Sequence, residues 1–171
     1  MTKYLWLAGL VTMTAALSVS NTAEAAEPKL EGTFSDWATY SRSESGDKIC
    51  YVLASPNKKT PTTVNHGDVY FMVANWKSGK ASEQPSLMTG YTMKTTSPPT
   101  AIVGSSRSRM FVSQNEAFIE SAANERRLVK NMRAGSLMRV NAVSSRGTSV
   151  SYEFSLKGVT AALRKAKSVC S

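Results

Sequence analysis

The chain has 171 residues, with 21 Lys and Arg against 12 Asp and Glu, one histidine and two cysteines, for a formal net charge of +9 at pH 7. That length fits one domain. The lone histidine and two cysteines fall short of the roughly four Cys and His ligands of a structural zinc site. No glycine-rich nucleotide loop, haem-attachment motif or G-x-S-x-G elbow is present.

The start has the order of a secretory leader. Met1-Thr2-Lys3 carries one positive charge, Tyr4 to Leu17 is an uncharged and largely apolar run, and small residues lead to Ala23-Glu24-Ala25. This predicts a signal peptide over 1–25, cleaved after Ala25 or Ala26, and a mature domain over 26–171. An uncleaved anchor is the alternative, but a membrane span takes about 20 apolar residues. Removing 1–25 takes away Lys3 and Glu24, which leaves 20 basic and 11 acidic side chains and the same +9.

Residues 34–55 read as a hairpin. Trp37, Thr39 and Ser41 alternate with Ala38, Tyr40 and Arg42, and Ser-Glu-Ser-Gly-Asp-Lys supplies the turn. Residues 56–67 read as a loop, and 68–76 as an apolar strand buried on both faces. Residues 77–86 form another loop. A strand over 87–94 follows, with Gly90 as a bulge. Two short strands flank Gly104 to Arg107, and 116–121 reads as a short strand with Glu116 exposed. Ser121 or Asn124 caps a helix that Gly135 ends, with Leu128 and Met132 on its apolar face. Residues 137–143 and 149–156 alternate as strands, and Arg146-Gly147 between them reads as a hairpin corner rather than a phosphate loop. After Gly158 the period changes, and Val159, Ala162, Leu163 and Ala166 fall at helical spacing. About eight short strands and two late helices predict a mainly-β domain, a β-sandwich or barrel-like, with both helices in the C-terminal third.

Export permits oxidation, and two cysteines allow one intramolecular pairing, Cys50 with Cys170; free or intermolecular thiols are the competing reading. Export also bears on the charge. It argues against nucleic acid and toward anionic envelope or host-surface polymers, or toward solubility alone. Arg126, Arg127, Lys130 and Arg133 cover one face of the first helix, and Arg164, Lys165 and Lys167 lie outside the apolar stripe of the second. These seven are the candidate anionic-surface residues; two solvated helix faces are the plainer reading.

Catalysis has little to build on, and no cofactor is implied. His66 reads as a solvated loop residue; a triad would need it beside Asp36 or Asp68 and a serine. The carboxylates Asp36, Asp68, Glu83, Glu116 and Glu153 are scattered along the chain. Most aromatics read as core. Trp37 and Trp76 flank expected loops, where either is a candidate sugar-stacking platform.

The stretches "FSDW…CYV", "DVYFMVANW" and "LVKNMRAGSLMRVNAVSSRGTSVSYEFSLKGVTAAL", with a terminal cysteine, together resemble the invasion-associated locus B family. The likeness runs over nearly all of 33–170, and its C-terminal part is the specific portion. Some members carry a further cysteine after the Asp-Trp pair, where this chain has Tyr40 or Ser41. The resemblance implies an exported, β-rich bacterial protein, periplasmic or surface-associated, linked in some pathogens to invasion and without an established catalytic residue. The resulting expectation is a non-enzymatic interaction module of the cell envelope. The alternatives are an envelope-maintenance or stress protein with no host partner and, third, a hydrolase using His66.

Overall fold

The computed structural model describes residues 27–171, so the leader expected over 1–25 lies outside the described residues. In chain order the strands are β1 (Lys29–Phe34), β2 (Trp37–Glu44), β3 (Asp47–Ala54), β4 (Lys58–Thr60), β5 (Val69–Trp76), β6 (Gln84–Thr89), β7 (Thr100–Val103), β8 (Ser106–Ser113) and β9 (Glu116–Ile119). Helix α1 (Ala122–Ala134), β10 (Leu137–Val143), β11 (Ser149–Ser155) and helix α2 (Val159–Cys170) complete the chain.

All eleven strands belong to one open antiparallel sheet of order β1-β2-β3-β5-β6-β9-β8-β7-β10-β11-β4. The fold is mainly β, as expected, with more strands than the eight counted. The corner of the sheet is β8. Its first half pairs with β7, from Ser106 opposite Val103 to Arg109 opposite Thr100. Its second half pairs with β9, from Met110 opposite Ile119 to Ser113 opposite Glu116. The two arms thereby face each other, as in a sandwich, while remaining one hydrogen-bonded sheet. Contacts between the arms fix that arrangement. Trp37 on β2 donates its indole N–H to Ser155 O at 2.9 Å, and Phe71 on β5 meets Phe154 on β11 edge to face.

Between the arms sits one core, built from the inward members of each alternation: Val52, Phe71, Val73, Met110, Val140, Tyr152 and Phe154 among them. The helices close it. α1 buries Leu128, Val129 and Met132; α2 buries Val159, Ala162, Leu163 and Ala166, the residues whose spacing marked it in the sequence. Ser121 is the α1 cap, its side chain accepting from Asn124 N, and Gly135 ends the helix in an extended conformation. Gly158 starts α2 at φ 91°, where its Cα passes so close to β1 that an added Cβ would lie 1.9 Å from Phe34 O. Only glycine tolerates both conditions.

Cys50 and Cys170 form a disulfide across a sequence separation of 120, with Cα atoms 5.8 Å apart. It ties the last residue of α2 to β3. Lys48 adds a polar tie, donating from Nζ to Val169 O at 2.9 Å, a cation where a helix C-terminus favours one.

Four local expectations change. Lys58–Thr60 is not loop but the edge strand β4, with Lys59 opposite Tyr152 of β11; a three-residue edge needs no apolar pattern. The strand expected over 87–94 is β6, which begins earlier and stops at Thr89. Strand β5 buries one face fully, while Tyr70, Met72 and Trp76 on the other are half-buried. That outer face carries a smaller cluster, Ile49, Tyr51 and Ala74, bordered by Tyr40 stacked on Tyr51. Glu116 is half-buried rather than exposed, and burial raises its carboxyl pKa.

Candidate functional site

Two surfaces carry chemistry. The first is the pair of basic helices. α1 packs on β6, β7, β8 and β9; α2 packs on β1, β2, β3 and β5; the two helices touch. Arg126, Arg127 and Lys130 are exposed on α1, and Arg164 and Lys167 on α2. Among the described residues none of these five makes an ion pair; Arg127 donates to Asn124 Oδ1 on its own helix. The other two candidates are half-buried. Arg133 is half-buried in an ion pair with Glu83. Lys165 makes no ion pair among the described residues; Glu31 on β1 is held below the usual carboxylate range chiefly by the Ser41 hydroxyl, with Lys29 and, least, Lys165 adding to the effect.

The loop between β5 and β6 joins the helical region as well. Its Glu83 reaches Arg133, and its residues Gly79, Ala81 and Ser82 line a shallow hollow with Lys167 and Ser171. Lys80 in this loop lies over the Trp76 ring, 3.2 Å from the centroid. Trp76 is thus already stacked on a cation. Trp37 is fully buried, so its ring offers no sugar platform. Lys48, which meets α2 only through tertiary contact, and Lys80, which sits on Trp76, carry no signal in the sequence.

The second surface is a cleft of about 390 Å³ between the 61–67 segment, residues 91–92 and the turn at 144–148. His66 and Tyr91 line it, with Ser145 and Arg146 on the turn, and Val64 and Val150 as apolar wall. His66 is not a solvated loop residue: only 7% of its surface is exposed. Its Nε2 lies 2.7 Å from Pro61 O and its Nδ1 3.1 Å from the Tyr152 hydroxyl. Tyr152 Oη in turn lies 2.8 Å from Tyr91 Oη. The burial arises because β4 pairs with β11 and lays the following segment over Tyr152. Both phenols are raised above the ordinary tyrosine range by burial, Tyr152 the further. The turn itself is the predicted corner. Gly147 takes φ 89° and donates its N–H to Ser144 O at 2.8 Å, and Arg146 is exposed.

This arrangement is not a Ser-His-Asp triad. Both imidazole nitrogens are occupied, one by a carbonyl and one by a phenol, so neither a serine nor a carboxylate holds the ring. Of the scattered carboxylates, Glu83 is paired with Arg133 and Glu153 with Arg139 at 2.8 Å. Among the described residues no group of three or more His, Cys, Asp and Glu is placed to hold a metal ion, and no helix is long and apolar enough to cross a membrane.

Fold and surfaces together define a disulfide-closed β protein with cationic helical faces and a histidine-lined cleft. A family model described as Invasion associated locus B (IalB) protein matches residues 37–167. The match takes in most of the chain, and the chain belongs to that family. The family is generally one of exported proteins and is not known as an enzyme family. No curated protein and no solved structure matches the chain.

Proposed function

We propose that this exported protein works by binding rather than by catalysis, docking the cationic surface of α1 and α2 on anionic polymers of the envelope or of a host surface. The observation that carries the reading is the set of five exposed cations on two touching helices, Arg126, Arg127, Lys130, Arg164 and Lys167, that make no ion pair among the described residues. A cation with no partner in the fold keeps its charge available to one outside it. Family membership supports the export and the non-catalytic assignment. Periplasmic and outer-surface placement are both compatible with this chemistry.

The test is binding of the mature protein to heparin and to vesicles of anionic lipid, across a salt series. Each basic side chain near an anionic surface contributes about 1 kcal/mol. Arg126→Glu, Arg127→Glu and Lys130→Glu together are therefore expected to weaken binding by roughly 100-fold or more at low salt. Binding that survives both the triple reversal and physiological salt overturns the proposal. Arg133 is left in place, because reversing it would break its Glu83 pair and mix stability with binding.

A further inference from the structure

The hydrogen-bond chain beneath the cleft has a direction, and one proton reverses it. Pro61 O can only accept, so His66 Nε2 carries hydrogen and donates to it. With a single proton on the ring, Nδ1 is an acceptor, and Tyr152 must donate to it. The Tyr152 oxygen then receives the Tyr91 hydrogen. In this state Tyr91 commits its only hydrogen inward and offers the cleft lone pairs alone.

A second proton on the imidazole turns every link round. Nδ1–H donates to Tyr152, Tyr152 donates to Tyr91, and the Tyr91 hydrogen is released toward the cleft. The phenols hold their protons throughout, because burial raises both of them. Only His66 changes its proton count. The charged groups near the ring are few. Lys59 on β4 donates to Gly67 O at 2.9 Å, Arg146 lines the cleft from the turn, and Asp68 lies two residues along the chain. No carboxylate lines the cleft itself. Its polar groups are hydroxyls, an amide, the imidazole and one guanidinium, a set that repels cations and suits an anion.

We propose that this cleft binds a small oxyanion, a carboxylate or phosphate group, between Arg146 and Tyr91, and that binding tightens when His66 takes its second proton. Protonation both adds a positive charge behind the cleft and turns Tyr91 from acceptor to donor. Linkage makes the effect reciprocal: the bound anion must favour the protonated ring. The cleft shares no residue with α1 or α2, so its fate is separate from that of the helical surface.

The chain contains one histidine, so one set of imidazole C–H signals in a proton NMR titration reports the site. The mature protein is titrated at constant ionic strength with inorganic phosphate, with glucuronate, and with glucose as the neutral control. Glucuronate stays ionised through the titration, and the two anion arms distinguish a phosphate from an acidic-sugar source. At least one anion is expected to raise the His66 midpoint by about one pH unit, equivalent to a tenfold tighter complex with the protonated form. Glucose is expected to leave it in place. Tyr91→Phe keeps the ring and removes the hydroxyl, and Arg146→Gln sits in an exposed turn and leaves the core untouched; each should reduce the anion-induced shift by at least half. A midpoint unmoved by either anion overturns the proposal, as does a shift that both variants leave intact. Should Tyr91→Phe fail to fold, Arg146→Gln alone decides.

Discussion

Removing the Cys50–Cys170 bridge should destabilise the fold chiefly by freeing the unfolded chain. The bond closes a loop of 120 residues in sequence. In the chain-entropy model a loop of that length accounts for about 5 kcal/mol, and measured values commonly fall below it. The native state has other ways to hold α2. Four of its residues are buried in the core, and Thr39 Oγ1 donates to Ala162 O at 3.2 Å. The helix should therefore stay docked in a Cys50→Ala, Cys170→Ala double variant, which leaves no lone thiol. Urea unfolding should show a loss of about 3–5 kcal/mol and a steeper denaturant dependence, because the open chain exposes more surface. The thermal midpoint should fall by roughly 10 °C for a domain of this size. A loss under about 1 kcal/mol with unchanged steepness would refute the reasoning, since it would mean that the reduced chain is already constrained by residual structure.

Four further substitutions test particular contacts. Gly158 and Gly147 share nearly the same positive φ, 91° and 89°, but only Gly158 faces backbone, while a Cβ on Gly147 meets nothing within 4 Å. Gly147→Ala should thus cost only the backbone term of about 1–2 kcal/mol, and Gly158→Ala clearly more; equal losses in parallel urea melts would contradict the steric account. Trp37→Phe removes the indole N–H that pairs with Ser155 O between the two arms, and is expected to lose about 1–3 kcal/mol by the same assay; a loss under about 0.5 kcal/mol would count against that bond as a tie between arms. Burial is the largest influence on Glu116 and raises its pKa, with Arg42 opposing. The fold therefore binds this proton more tightly than the unfolded chain does, and stability falls as pH rises from the ordinary carboxyl range through the raised value. Glu116→Gln should remove that decline and be at least as stable as the parent at neutral pH; a less stable variant there would show that its charge is favourable in place.

Local period decided much of this protein. The alternation of Val150, Tyr152 and Phe154 marks β11, and the spacing of Val159, Ala162, Leu163 and Ala166 marks α2, because each pattern is what one buried face demands. The turn at Gly147 and the cysteine pair were readable for the same reason: a positive φ and a two-member pairing are properties of single residues and of counting. Position in space was not readable. Lys58–Thr60 gave no apolar signal, yet its pairing with β11 lays the next segment over Tyr152 and buries His66. Seven cations read alike on two helices, but Arg133 meets Glu83 because a distant segment of the chain folds against it. Composition and periodicity determined which residues seek the interior and which stay wet. Only the tertiary fold decided which polar groups meet, because hydrogen bonds and ion pairs act over a few ångströms between residues that the chain separates by dozens of positions.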